Sequence, residues 1–251
     1  MKLEHLTWVK AQEYFEKNDL VVIPLGSIES HGKHLPLGTD FLIPAKLAAL
    51  LEEKTDVLIT PALPFGNCDY LSDFPGTISI GFDTLVAVLE GITSQLLQHG
   101  ARRFVFLNGH GGNSAPVDKV SLGLRRKGAL AARFDWWVIA GQLNPLWKGG
   151  HGGAEETAGV MAIDCALVDR ERIEDSFLKG LSQSLPSGGL QAVCFEGISI
   201  PVGRPVIEAT PNGWAGPDHP AMATRQMGEE MLEATADYLA RFLAEFSSVP
   251  L

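Results

Sequence analysis

Long apolar runs, paired cysteines and clustered positive charge are all missing from this chain. Nowhere do about eighteen consecutive apolar residues occur, so no membrane-spanning helix is expected. The N-terminal "MKLEHLTWVKAQEYF" carries charges throughout and lacks the apolar core of a secretory signal. Three cysteines, Cys68, Cys165 and Cys194, are far apart and odd in number. That excludes a disulfide framework and a CxxC zinc site, and points to a reducing compartment, the cytoplasm. Cys165, in "VMAIDCAL", is expected to be a small buried thiol. Lysine and arginine total 20 against 30 acidic residues, a formal net charge of −10. The short basic cluster of Arg125, Arg126 and Lys127 makes no stripe, so a nucleic-acid partner is not expected. Repeats, low-complexity tracts and linker-like stretches are absent too. A chain of 251 residues with 45% apolar content is therefore expected to form one domain, residues 1–251.

Apolar runs bounded by turn residues alternate with helical periodicity, the pattern of an α/β protein. Strands are expected at 20–26, 57–64, 103–109 and 132–141. Helices are expected over "DFLIPAKLAALLEE", with Asp40 as N-cap, and over "DTLVAVLEGITSQLLQHG", with Gly100 as the stop. Asn113 and Gly128 frame a third, "EETAGVMAIDCAL" forms a fourth, and a long helix begins near "DHPAMATRQMG". Residues 175–216, rich in Gly, Pro and Ser, carry no clear period.

Histidine is scarce, at seven residues, yet "GSIESHGKHLPLGTD" (26–40) holds two of them beside Glu29 and Asp40. Glu29, His31 and Asp40 are the residue types that hold a divalent ion, and the other reading of the stretch is a polar surface loop. His110 sits in "LNGHGGNS" directly before a helix, and His151 in "GGHGGAEETAGVMA". Each of these loops follows a strand or opens a helix. In open α/β sheets that is the edge where ligands bind. HGG also occurs in the oxyanion loop of serine esterases, but those need a GxSxG elbow, which this chain lacks. Glu155 and Glu156, in a first helical turn, would also be explained by the helix dipole. Trp136 and Trp137 fit either a pocket wall or the core.

These residues resemble the creatininase family of metal-dependent amidohydrolases. The matching pieces are "GSIESHGKHLPLGTD", "PFG" with "FPGTISI", "NGHGGN", "HGGAEETA" and "GWAGPDHPAMATRQMG", in order from about residue 21 to 228. The resemblance implies a three-layer α/β/α sandwich with a mostly parallel sheet. It also implies two divalent ions per chain, zinc and/or manganese, with iron in some members. Carried over by motif, Glu29 and His110 bind one ion, His31 the other, and Asp40 bridges them. His151 transfers protons. Apart from the resemblance, Trp147, four residues before His151, is expected to wall the pocket, and Gly111 and Asn113 of the GHGGN loop to bind the substrate, backbone N–H groups there holding an oxyanion. The implied chemistry is attack by a metal-activated hydroxide on a small-molecule amide such as a cyclic amide or a formamide. Assembly is expected as a homo-oligomer, a hexamer being favoured. Peptide trimming and hydrolysis of a cyclic ketone also occur among relatives.

Two departures from the family pattern narrow this. Gly112 stands where creatinine-hydrolysing members carry a glutamate, so another carboxylate must complete the second ion site. Glu156, aligned with the glutamate of the family's "ETS" pattern, is the expected ligand, with Glu155 as the alternative. Tyr70 and Leu71 replace a Glu and His pair found upstream of FPGT in many relatives, which weakens the case for creatinine itself. A metal-free binding protein and a metal-dependent phosphoesterase are the rival readings. The second lacks a P-loop or an arginine-rich cluster.

Overall fold

The computed structural model describes residues 1–251. Its centre is a parallel sheet of β1 (Leu20–Leu25), β2 (Leu58–Ile59), β3 (Arg103–Asn108) and β4 (Leu130–Asp135), in the order β2-β1-β3-β4. β1 and β3 are buried along their whole length, as strands covered on both faces must be. Side chains alternate between two cores. Leu20, Val22, Val105 and Leu107 point into one cluster, and Val21, Ile23, Leu25, Phe104 and Phe106 into the other.

Helices cover both faces. The first core is closed by α2 (Thr39–Lys54), α5 (Trp136–Leu143), α6 (Ala154–Ile163) and α8 (Arg225–Ser248), through residues such as Leu47, Ala140, Ala158 and Leu239. The second is closed by α1 (Trp8–Phe15), α3 (Phe82–His99) and α4 (Ser114–Arg126), through Tyr14, Leu89 and Val120. This is the three-layer α/β/α arrangement. No helix is long and apolar enough to cross a membrane.

Several local expectations are corrected. The run 57–64 forms only the two-residue β2, because Pro61 and Pro64 lack the N–H that a ladder needs. The run 132–141 is a strand only to Asp135 and a helix from Trp136, since a short apolar stretch does not reveal its period. Asp40 is no N-cap: it lies inside the first turn of α2, and its carboxylate is turned to the site described below. The last helix begins at Arg225, where the Thr224 side chain accepts from the Met227 N–H. Cys165 is exposed, in a turn just after α6. Gly100 does end α3, at φ 117°.

Between α6 and α8 the chain leaves the sheet. A small antiparallel sheet of β5 (Ser187–Gly189), β6 (Ala192–Phe195) and β7 (Ile198–Pro201), followed by α7 (Val206–Ala209), occupies the stretch without clear period. Leu190, Gln191 and Val206 reach back to line the cavity at the sheet's carboxyl edge.

Candidate metal centre

Loops at the carboxyl ends of β1 and β3 build the site, together with the first turns of α2 and α6. Gly26 and Gly109 end the two strands, and a Cβ on either would meet the Asp40 carbonyl oxygen, at 2.1 and 2.0 Å. Only glycine lets the start of α2 press against both strand ends and so deliver the Asp40 carboxylate between them.

Two groups of potential ligand atoms result, each within 4.8 Å: Glu29, Asp40 and His110, and His31, Asp40 and Glu156. Asp40 is common to both. Its Oδ2 lies 2.9 Å from His110 Nδ1, and its Oδ1 lies 2.8 Å from His31 Nε2. Ser27 Oγ donates to Oδ2 at 3.1 Å. Glu29 Oε2 is 3.1 Å from His110 Nδ1, and Glu156 Oε2 is 3.6 Å from His31 Nε2.

The second nitrogen of each histidine is anchored. His110 Nε2 is 2.9 Å from the Asn67 carbonyl and His31 Nδ1 is 3.2 Å from the Glu29 carbonyl. A ring that donates to a carbonyl on one side presents a lone pair on the other, which is how metal-bound imidazoles are oriented. Glu29 is fully buried; its Oε2 and His31 Nε2 face only other ligand-type atoms, His110 Nδ1 at 3.1 Å and Asp40 Oδ1 at 2.8 Å, without hydrogen-bond geometry. Orphaned polar atoms of this kind are costly inside a protein, and a divalent cation is the partner they lack. The donor set of carboxylates and imidazoles suits zinc or manganese.

Electrostatics agree with that fit. Burial disfavours charge on His31, but Asp40, Glu156 and Glu29 outweigh it and raise its pKa to about 10. Burial likewise opposes ionisation of Asp40, and the imidazoles of His31 and His110 overcome it, holding the carboxyl well below the usual range. Protons on the histidines thus balance buried carboxylates in the absence of ions. Binding an ion would displace those protons.

His151 stands beside the cluster. Its ring lies 4.3 Å from that of His31, centroid to centroid, and its Nε2 is 2.8 Å from the Ser30 carbonyl. Its Nδ1 lies 3.9 Å from Glu29 Oε1, and Glu29, His31 and His151 form a further group with metal-ligand spacing. Burial, and then the neighbouring His31, push its pKa down to about 3, so the ring is neutral.

Other expected residues lie elsewhere. Asn113 is not in the cavity wall: its amide joins loops, Nδ2 donating to the Gly26 carbonyl at 3.0 Å and Oδ1 accepting from the Asn67 N–H at 3.0 Å. Trp147 packs against the larger core, and Trp137 takes the place in the wall, while Trp136 is in the core. Gly111 does line the cavity, whose volume is about 670 Å³. Glu155 lines it too but belongs to neither ligand group that contains Asp40.

His34 was passed over in the sequence although it shares the first motif. It is buried, and its Nε2 lies 3.1 Å from Thr157 Oγ, whose hydroxyl donates to the Gly153 carbonyl at 2.7 Å. It therefore ties the first loop to the turn that carries His151 and Glu156. Cys68 also lines the cavity; burial, with Glu29 adding, pushes its thiol up to about 12, so it stays protonated.

A profile for creatininase, described as creatinine amidohydrolase, matches residues 4–243. The chain is 31% identical over 193 residues to a creatinine amidohydrolase of Pseudomonas putida, covering 68% of this chain and 74% of that one. It is 34% identical over 197 residues to a mycofactocin precursor peptide peptidase of Mycobacterium tuberculosis, covering 71% and 73%. Among solved structures, a creatinine amidohydrolase superposes with a TM-score of 0.78 at 25% identity, covering 99% of this chain and 98% of the other. A mutant creatininase of Zn–Zn type gives 0.77 at 25% identity, covering 99% and 98%. A manganese form gives 0.76 at 25% identity, covering 99% of both chains.

Proposed function

The chain belongs to the creatininase family of metal-dependent hydrolases, and we propose that it hydrolyses a non-peptide C–N amide bond of a small molecule, a cyclic amide or a formamide. The observation that carries this reading is the sharing of Asp40 between two ligand groups, next to a fully buried Glu29. Glu29 and His110 would hold one divalent ion, His31 and Glu156 the other, and Asp40 both. Zinc and manganese suit the donors and are the metals of the related creatininase forms. Such ions make water nucleophilic near neutral pH and withdraw charge from a carbonyl.

The chain's own residues supply the rest. With Nε2–H committed to the Ser30 carbonyl, His151 keeps the Nδ1 lone pair free on the side of Glu29. It accepts a proton there from the attacking water and returns it to the leaving nitrogen, which departs poorly unless protonated. Glu156 Oε2 also accepts from the Gly152 N–H at 2.7 Å, so one contact fixes both the ligand and the turn that carries His151. Gly111, lacking a side chain, leaves backbone as the surface a substrate meets in that part of the wall. Asn113 acts by positioning this loop.

A peptide substrate is the second reading, favoured by the 34% identity to the peptide peptidase. Assembly into a homo-oligomer, with a hexamer favoured, is part of the proposal and is read by sedimentation. Metal-loaded protein assayed against lactams, formamides, cyclic ureides and short peptides is expected to turn over one of the first three classes. Turnover of peptides alone selects the second reading. Failure to retain divalent metal after purification and reloading would point to a binding protein.

A further inference from the structure

Asn108 closes β3 and is fully buried, and its register partner on β4 is Asp135. Both donors and both acceptor sites of its amide are used. Oδ1 accepts from the His110 N–H at 3.1 Å and from Asn113 Nδ2 at 3.4 Å, while Nδ2 donates to the His110 carbonyl at 2.9 Å and to Asp135 Oδ1 at 2.8 Å. An asparagine at a turn commonly accepts from the N–H two residues on. Here it also donates to that residue's carbonyl, so one side chain grips the His110 backbone on both sides. The His110 ring is held separately, by the Asn67 carbonyl.

The grip works with the amide one way round only. Turned over, it would set oxygen against the His110 carbonyl and N–H against N–H. Asp135 prevents the turn, because a carboxylate accepts and does not donate. Its own orientation is fixed by Arg133, whose Nε lies 3.0 Å from Asp135 Oδ2 and whose Nη1 donates to Asp118 of α4 at 3.1 Å. Asp135 stands at the N-cap of α5, where a carboxylate ordinarily accepts from the first helical N–H groups, yet its side chain caps nothing. It serves Asn108 instead. Neither Asn108 nor Asp135 lines the cavity, so any effect on the site passes through His110.

We propose that Asn108, locked the right way round by Asp135, is a positioning residue that holds His110 at its ligand geometry and so sets the affinity of the ion shared by His110 and Glu29. This rests on the metal-centre reading above and deepens it. Metal-buffered zinc titration of the unaltered protein, Asn108→Ala, Asp135→Ala and Asp135→Asn tests it. Asn108→Ala is expected to weaken one of the two zinc equivalents by roughly tenfold to a hundredfold, the range for an outer partner of a ligand, and to spare the other. Asp135→Ala should weaken the same equivalent by about tenfold. Asp135→Asn should restore most of that affinity, since an amide oxygen still accepts from Asn108 Nδ2. Unchanged affinity in Asn108→Ala, an equal loss of both equivalents, or an Asp135→Asn as weak as Asp135→Ala would overturn the assignment. If Asn108→Ala does not fold, the two Asp135 variants decide. Failure of the unaltered protein to hold zinc strikes the metal centre itself, and its own titration reports that separately.

Discussion

Two hollows of the molecule differ in more than size. The larger, a groove of about 1180 Å³ between α1 and α3, is walled by Leu6, Trp8, Phe15 and Ile92 among others. The smaller, about 670 Å³, opens at the carboxyl edge of the sheet, where Glu29, Asp40, His110 and Glu156 converge. In the groove, apolar surface meets water, a small and diffuse cost. At the sheet edge, carboxylates and imidazoles have been carried into the interior with little but one another as partners, and several of their atoms make no hydrogen bond. Folding tolerates that only where a ligand repays it, so unpartnered burial marks a site better than volume does.

If that contrast is right, substitutions at the two hollows should differ widely. Asp40→Asn should do most, because one carboxylate faces both ligand groups. Activity should fall by more than the roughly 10–100-fold that loss of an outer partner costs, and elemental analysis should find little bound metal. The thermal consequence is separable: zinc at a hundredfold its Kd should stabilise the unaltered protein by about 2.7 kcal/mol, and calorimetry should find that gain missing in Asp40→Asn. Retained metal and activity would remove the centre.

Next comes Glu156→Gln, expected to release about one metal equivalent and abolish hydrolysis, since open catalytic sites usually keep three protein ligands. Two ions held at unaltered affinity would mean that another group completes the second site. His151→Ala should keep both metals and lose about a hundredfold to ten-thousandfold in kcat. Metal loss in that variant would instead make His151 a ligand, as its spacing to Glu29 and His31 permits.

His34→Ala should act through position alone. Without the link to Thr157, the turn carrying His151 and Glu156 loosens, and metal affinity should fall about tenfold, the lower range for an outer partner; a metal-buffered titration measures it. The smallest effect belongs to the groove. Trp8 is 78% exposed, and Trp8→Ala should leave activity within about twofold and stability within roughly 0.5 kcal/mol. A large loss of turnover there would break the contrast between the hollows.

Much of this site was legible in one dimension. Glu29, His31 and Asp40 stand within a dozen residues, and "NGHGGN" brings His110 at the next strand end, because parallel strands put all their following loops on one edge. Strands β1 and β3 were legible for the same reason that they are buried on both faces: their runs are uninterrupted. Where proline or an aromatic pair blurred the period, at 57–64 and 132–141, the boundaries moved.

What the amino-acid order by itself determined is the inventory: which ligand types exist, how far apart they lie in the chain, and where glycine permits close approach. Tertiary structure alone decided their partnerships. Glu155 and Glu156 are indistinguishable as letters at a helix start, yet the helix rotates successive side chains by about 100°, so one meets His31 and the other lies against Gly149. Trp137 and Trp147 were separated in the same way, as were the binding surface of Gly111 and the clasp of Asn113. A sequence carries no direction for a side chain until packing fixes the backbone beneath it.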